Sequence, residues 1–365
     1  MSCDPKKIDD AKNNRDIFVY KNKCRGDKDF VPNQLLVYGE PPIKEGNIDT
    51  IITCPCGDSL FLVVYGNDVP NFEAEEERIK PPANKEGGIS KNFIFDFPEM
   101  KDTSKINGYL KGDFPTVNTM GKKVSVLDTG VKGNVSRFVA NPVGCTFFDR
   151  PDKHGHGSFV SYILLQTIAR AESLPSHPPY NYQLVSYNVT NDNGDIDLFN
   201  VMCAMKHAAE QGTSVINMSF GAYCEIPVFR KFTKKLLDKY PNLTLVTSSG
   251  NNDVNLDTKV HIPSTYYRSF PGRVIQVAAL VAPAASAGTA VWEMWPSSND
   301  ITKGNFAAQG VHNFEGEFAS GTSFAAPIVS GLKVINYPSL NQTLVLPTAP
   351  APMPQYVNQF GHRIN

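Results

Sequence analysis

A serine becomes a nucleophile when a base can take its proton and a third group holds that base in place. Gly321-Thr322-Ser323-Phe324-Ala325-Ala326-Pro327 offers such a serine at a helix start. Gly321 permits a tight entry, Ala325 and Ala326 allow close packing on a sheet, and Pro327 is expected in the first turn, where a missing N–H costs nothing. Unpaired backbone N–H groups at that terminus suit the negative oxygen that forms when a carbonyl is attacked. A capping serine is also a common structural device, so the reading needs partners. Upstream, Val124-Ser125-Val126-Leu127 runs into Asp128-Thr129-Gly130, a pattern for a buried parallel strand with a carboxylate at its carboxyl end. His154-Gly155-His156-Gly157-Ser158 leads into an apolar stretch of helical character, which puts His156 at a helix start. Two histidines two apart also fit a metal site, but no further Cys or His stands nearby at ligand spacing. No metal and no cofactor is expected.

Side chains this far apart meet only if a sheet gathers them at one edge. Strands are expected at Leu184–Val189, Val215–Met218, Leu243–Thr247 and Val274–Leu280, with helices at Leu198–Glu210 and Pro227–Lys239. Such alternation implies an α/β fold with a doubly wound, mostly parallel sheet. The N-terminal region differs. Gln34–Tyr38, Thr50–Thr53 and Ser59–Tyr65 read as strands between Pro/Gly turns, and Phe72–Lys80 as a Glu-rich helix. The expected organisation is a small α+β module and linker over 1–112, the main domain over 113–337 and a Pro-rich tail over 338–365. The linker from Pro81 to Phe114, rich in Lys, Gly and Asp, is expected to be exposed.

Asp128-Thr129-Gly130, His156-Gly157-Ser158 and Gly321 to Pro327, in that order, resemble the three catalytic motifs of the subtilisin-like serine peptidases, the subtilases. The likeness covers about Asp113 to Ile335. It implies a serine endopeptidase acting through an acyl-enzyme, with Asp128 orienting His156 and His156 taking the proton of Ser323. Ser248-Ser249-Gly250-Asn251 is similar to the family's oxyanion motif, which implies that Asn251 donates to the developing oxyanion beside the Ser323 N–H. Val215 to Gly221 is similar to the family's substrate strand, so Ser219, Phe220 and Gly221 would bind an extended polypeptide, and Gly194, Asp195 and Ile196 would form the opposite rail. Side-chain preference is poorly determined: Asp195 and Asp197 could favour basic residues beyond the scissile bond, but acidic loop residues are usually solvated. The N-terminal module is similar in placement to a propeptide, which implies an intramolecular inhibitor and autocleavage between Pro81 and Phe114, and regulated cutting of a dedicated protein target. A subtilase-fold peptide-binding protein without turnover is the alternative. No segment after His156 resembles the family's calcium loop, and Asp300 to Glu317 does not match the family pattern.

Composition sets wider bounds. The chain has 365 residues, 41% hydrophobic and 19% charged, with a net charge of −1, so it carries no electrostatic footprint for nucleic acid. No apolar run approaches the roughly 20 residues needed to cross a bilayer. The stretch from Met1 to Asp16 is polar and lacks the apolar core of a secretory leader. Seven scattered cysteines, with Cys54-Pro55-Cys56 the one close pair, do not suggest a disulfide framework. A cytoplasmic location is the expectation from these two features.

Overall fold

Strands that are apolar on both faces need a helical layer on each side, and that is the architecture observed. The computed structural model describes residues 15–19, 29–44, 46–57, 59–67, 69, 71–79, 87–114, 121–172, 181–281, 293–300 and 306–337. Its N-terminal part holds β1 (Phe18–Val19), β2 (Phe30–Tyr38), β3 (Ile48–Thr53), β4 (Leu60–Tyr65), α1 (Phe72–Ile79), β5 (Gly88–Phe95), β6 (Glu99–Met100) and α2 (Ile106–Tyr109). The larger part begins with β7 (Lys122–Asp128), α3 (His156–Glu172), β8 (Tyr182–Asn188), β9 (Ile196–Asp197), α4 (Leu198–Glu210) and β10 (Thr213–Met218). It continues through α5 (Pro227–Lys239), β11 (Thr244–Ser248), β12 (Val274–Val281) and β13 (Glu293–Met294). Last come β14 (Phe306–Gln309), β15 (Val311–Phe314), β16 (Glu317–Ser320) and α6 (Thr322–Val334).

The central sheet has the order β13-β12-β11-β10-β7-β8, with β14 also on β12. Every pairing in it is parallel except β12 with β13. Val124 and Val126 of β7 join the core beneath α3 and α6, while Leu127 faces the core beneath α4 and α5. The alternation along one strand thus feeds two helical layers, the doubly wound arrangement expected from the sequence. The strand ends carry Asp128, Ser248 and Ser219 to one edge.

The N-terminal strands form an antiparallel sheet of order β3-β4-β2-β5-β9, so its last strand belongs to the larger part of the chain. Leu35, Val37, Phe61 and Val63 make a separate small core. Two disulfides fasten this sheet to the rest: Cys54 to Cys203 of α4, and Cys56 to Cys145, with Cα–Cα separations of 5.9 and 5.8 Å. This corrects the cysteine expectation. The partners lie 149 and 89 residues apart in sequence, a separation that spacing rules do not see. With the bridges present, cysteine usage no longer argues for a reducing cytoplasm. Among the described residues no helix is long and apolar enough to cross a membrane. The Pro-rich tail lies outside the described residues.

Candidate active site

Glycines bring the expected base to its carboxylate. A side chain on Gly157, in the first turn of α3, would collide with the Gly130 carbonyl, so only glycine lets α3 approach the end of β7 this closely. His156 Nδ1 then lies 2.7 Å from Asp128 Oδ1, which also accepts from Thr129 N at 2.8 Å. Both side chains are wholly buried. Asp152 fixes the start of α3. Its carboxylate accepts from the N–H groups of His154 (2.9 Å), Gly155 (2.7 Å) and Ser158 (3.0 Å), from Ser158 Oγ (2.7 Å) and from Thr129 Oγ1 (2.8 Å). Burial pushes the Asp152 carboxyl pKa up, and its bonds from Ser158, Thr129 and Gly155 pull it back. Asp152 was not singled out from the sequence, although an Asp six residues before a Ser at a helix start was the available signal.

Ser323 is the second residue of α6, and the ring of its neighbour Phe324 lies 5.6 Å from that of His156. Pro327 lies in the second turn rather than the first, because α6 begins at Thr322. Its absent N–H leaves the Ser323 carbonyl without the usual helical donor. Ser219 Oγ supplies that donor at 2.9 Å, and Ser323 Oγ donates in return to the Ser219 carbonyl at 3.0 Å. Asn217 Nδ2 donates to Ser219 Oγ at 3.0 Å while its carbonyl oxygen accepts from Ser330 of α6. The Ser323 hydroxyl proton is therefore turned toward Ser219. His156 Nε2 is buried with no hydrogen-bond partner among the described residues.

Asn251 follows β11 and reaches the same helix terminus. Its carboxamide oxygen accepts from Thr322 N and Thr322 Oγ1, each at 2.8 Å, which directs the amide nitrogen away from Thr322. Asn299 holds this loop. It is wholly buried, donates to Ser249 O (2.7 Å) and Tyr223 Oη (2.8 Å), and accepts from Asn252 N (3.0 Å) and Val254 N (3.2 Å). Sequence reading missed Asn299, which lies just ahead of the stretch that matched nothing.

The two expected rails face each other with chain already between them. On one side Ile94 and Phe95 of β5 pair with Asp197 and Ile196 of β9. On the other, Asp96 and Gly221 exchange both backbone bonds, at 2.7 and 3.2 Å. This bridge is isolated, and beyond it the chain runs through Phe97 and Pro98 into β6. Phe95 packs on Phe220 and Phe229, and Phe97 on His154 and His156. From the other side Phe18 of β1 meets His156, Phe159 and Phe324. The linker expected to be exposed is thus, over Gly88 to Met100, two strands with Phe95 and Pro98 buried. Aromatics at 93, 95 and 97 were the overlooked period-two signal.

Of the second rail, Ile196 pairs as a strand, Gly194 lies against the His154 ring, and Asp195 closes a turn with Asn191. Asp197 is buried and caps α4 through Asn200 N at 2.9 Å, with burial pushing its carboxyl up to about 7. It is not available to greet a basic side chain. Among the described residues no three His, Cys, Asp or Glu side chains gather as a metal cluster.

Comparison with known proteins matches this geometry to a family. The subtilase family, Peptidase S8, matches residues 119–341. The chain is 25% identical over 265 residues to the "thermophilic serine proteinase" of Bacillus sp. strain AK1, covering 67% of this chain and 61% of that one. It is 25% identical over 254 residues to the "subtilisin" of Bacillus sp. strain TA39, covering 60% and 58%. It therefore spans about three-fifths of the length of these relatives. Solved structures share the fold. The S393A mutant of the epidermin leader peptide processing serine protease from Staphylococcus aureus superposes with a TM-score of 0.55 at 14% identity, covering 90% of this chain and 99% of that one. Fervidolysin from Fervidobacterium pennivorans gives 0.53 at 16%, covering 90% and 57%. The motif order, the sheet edge that gathers them and a family match over well more than half of the chain agree: this protein belongs to the subtilase family.

Proposed function

We propose that this chain is a serine endopeptidase working through Asp128, His156 and Ser323, and that its own N-terminal region holds it idle. The observation that carries the catalytic reading is the buried 2.7 Å contact between Asp128 Oδ1 and His156 Nδ1, with Ser323 in the first turn of the helix whose Phe324 ring lies 5.6 Å from the imidazole. Asp128 fixes the tautomer, so Nε2 of His156 is the base. It takes the proton of Ser323 as the hydroxyl attacks a peptide carbonyl, and returns it to the leaving amine. Asn251 and the Ser323 N–H hold the oxyanion. Water then releases the acyl group.

The stretch 94–96 supports the inhibitory part: it pairs with Ile196 and Asp197 on one side and with Gly221 on the other, so it occupies the groove that an extended polypeptide would need. The Ser323 hydroxyl meanwhile donates to the Ser219 carbonyl at 3.0 Å. Two disulfides keep the blocking sheet attached, and they favour an oxidising compartment over the cytoplasm. Autocleavage of the linker between Pro81 and Phe114 belongs after release of the strand, and the natural target is a polypeptide presented in extended form.

A fluorophosphonate probe tests this on the full chain, before and after a dithiol reductant opens the bridges. Labelling should rise on reduction and vanish in Ser323→Ala, and intact masses of the two should diverge only after reduction. The alternative, a peptide-binding subtilase without turnover, is favoured by the serine proton pointing at Ser219. Absence of labelling and of casein cleavage in the opened protein would establish that alternative instead.

A further inference from the structure

An α-helix ties each carbonyl to the N–H four residues on, and Pro327 removes that tie from Ser323. The proline ring also crowds the same carbonyl, which favours a partner off the helix axis. The peptide plane between Ser323 and Phe324 is held at its nitrogen end, where the Phe324 N–H donates to Gly321 O at 3.1 Å. Its oxygen end needs a donor from outside the backbone ladder. This plane matters because it fixes how the Ser323 Cα presents its hydroxyl.

A chain of side chains supplies it. Ser330 Oγ donates to Asn217 Oδ1 (2.8 Å), Asn217 Nδ2 donates to Ser219 Oγ (3.0 Å), and Ser219 Oγ donates to the Ser323 carbonyl (2.9 Å). Each proton has one direction, because the Asn217 carboxamide shows its oxygen to Ser330 and its nitrogen to Ser219. Ser323 and Ser330 stand seven residues apart, two turns along one face of α6. The chain therefore leaves the helix, crosses the end of β10 and returns to the same helix at the residue that Pro327 left untied. Asn217, Ser219 and Ser330 are wholly buried, which shields every link from competing water. Apolar residues at these three positions would fill similar space without giving the donor that proline withholds.

Resting on the endopeptidase reading, we propose that the Ser219 side chain is a positioning residue for Ser323, supported by Asn217 and Ser330. Acting through the Ser323 carbonyl, it sets the peptide plane from which the attacking hydroxyl is presented. This role is separate from the backbone role expected of Ser219 in the substrate strand, which alanine at 219 would keep.

Pro327→Ala restores the helical N–H, so it should make the Ser219 hydroxyl largely dispensable. In the full-length chain opened by a dithiol, Ser219→Ala should slow fluorophosphonate labelling about 10- to 10²-fold, through the maximal rate rather than through probe affinity. In a Pro327→Ala chain the same change should slow it less than about threefold. The probe is too small to need the substrate strand, so weakened groove contacts do not mimic this result. The melting temperature of the oxidised chain gives a second reading. Ser219→Ala should lower it by several degrees with the proline present and by less without it, a remainder persisting because Asn217 Nδ2 still lacks its acceptor. If Ser219→Ala does not fold, Ser330→Ala runs the same cycle from the far end of the chain, and its slowing should likewise shrink beside Pro327→Ala. Equal losses in the two backgrounds, or no loss with the proline present, would overturn the proposal. Absence of labelling in every variant would instead sink the endopeptidase reading, while the paired melting temperatures still judged the clamp.

Discussion

Replacing Asp152 by Asn changes a single atom type and should loosen the start of α3. The carboxylate accepts five hydrogen bonds, three at Oδ1 and two at Oδ2. An amide can accept at one end only, and three donors outweigh two, so its oxygen stays with Thr129, His154 and Gly155. Its NH₂ then faces the buried Ser158 N–H. Ser158 Oγ already accepts from Lys132 N at 3.0 Å, so it offers little relief. One stranded N–H costs about 1–3 kcal/mol, and the surviving bonds lose their charge assistance, which brings the total to roughly 2–4 kcal/mol. That is a large share of a typical net stability of about 5–15 kcal/mol. His156 is the first residue of the helix so held, and a displacement of about 1 Å there should lower turnover on the order of 10²-fold. Urea unfolding under non-reducing conditions reads the stability, with Asp152→Ala as the more severe companion. A loss below about 1 kcal/mol with unchanged turnover would refute the reasoning. It would mean the acid is already protonated in the native protein, since Asn imitates a neutral carboxylic acid.

Three further outcomes are expected. With a site-specific protease sequence placed in the 115–120 stretch, cutting alone should leave the chain inhibited, because the disulfides hold the blocking sheet at an effective concentration of about mM. Labelling should rise further than on reduction of the uncut chain, by up to about 10³ on dilution, when cutting and a dithiol are combined; release by the cut alone contradicts the tether. Asn299→Ala should lower kcat about 10²-fold with little change in KM and add almost nothing to Asn251→Ala, since it acts through that loop. Independent, additive losses would show that it does not. Burial holds His312 and His261 neutral, with pKa values lowered to about 4 and about 3. The unfolded chain takes up protons below about 6.5 that the folded chain refuses, so stability is full above that pH and falls as pH drops toward 4. The slope should approach 1.4 kcal/mol per pH unit per histidine, roughly, and His312→Gln should remove its share. An unchanged slope in that variant rules its titration out.

Much of the site was legible because its parts carry local signatures. A β-branched run ending in Asp128, a helix opening on His156-Gly157 and the small residues around Ser323 each obey short-range rules, and the alternation of strands and helices gave the sheet that gathers them. Legibility failed wherever the deciding partner lies far away in the chain. Cys54 and Cys56 read as an isolated pair because Cys203 and Cys145 are brought to them by the docking of one sheet on α4. The stretch around Phe95 and Pro98 read as linker because charged and glycine neighbours masked its alternation, and its burial depends on two rails contributed by later segments. Pro327 belongs to the first turn only if Ser323 caps the helix; it falls in the second because Gly321 is the cap and α6 opens at Thr322.

β9 and the Ser219–Gly221 segment each hydrogen-bond to the same short stretch from opposite sides. Once that stretch leaves, two raw edges lie side by side, the arrangement soluble proteins normally shield because any loose strand adheres to it. On the proposed opening, the molecule would therefore exchange solubility for appetite in one motion. Freed copies at high concentration would then pair with one another's loosened strands, so crowding would set the lifetime of the open form.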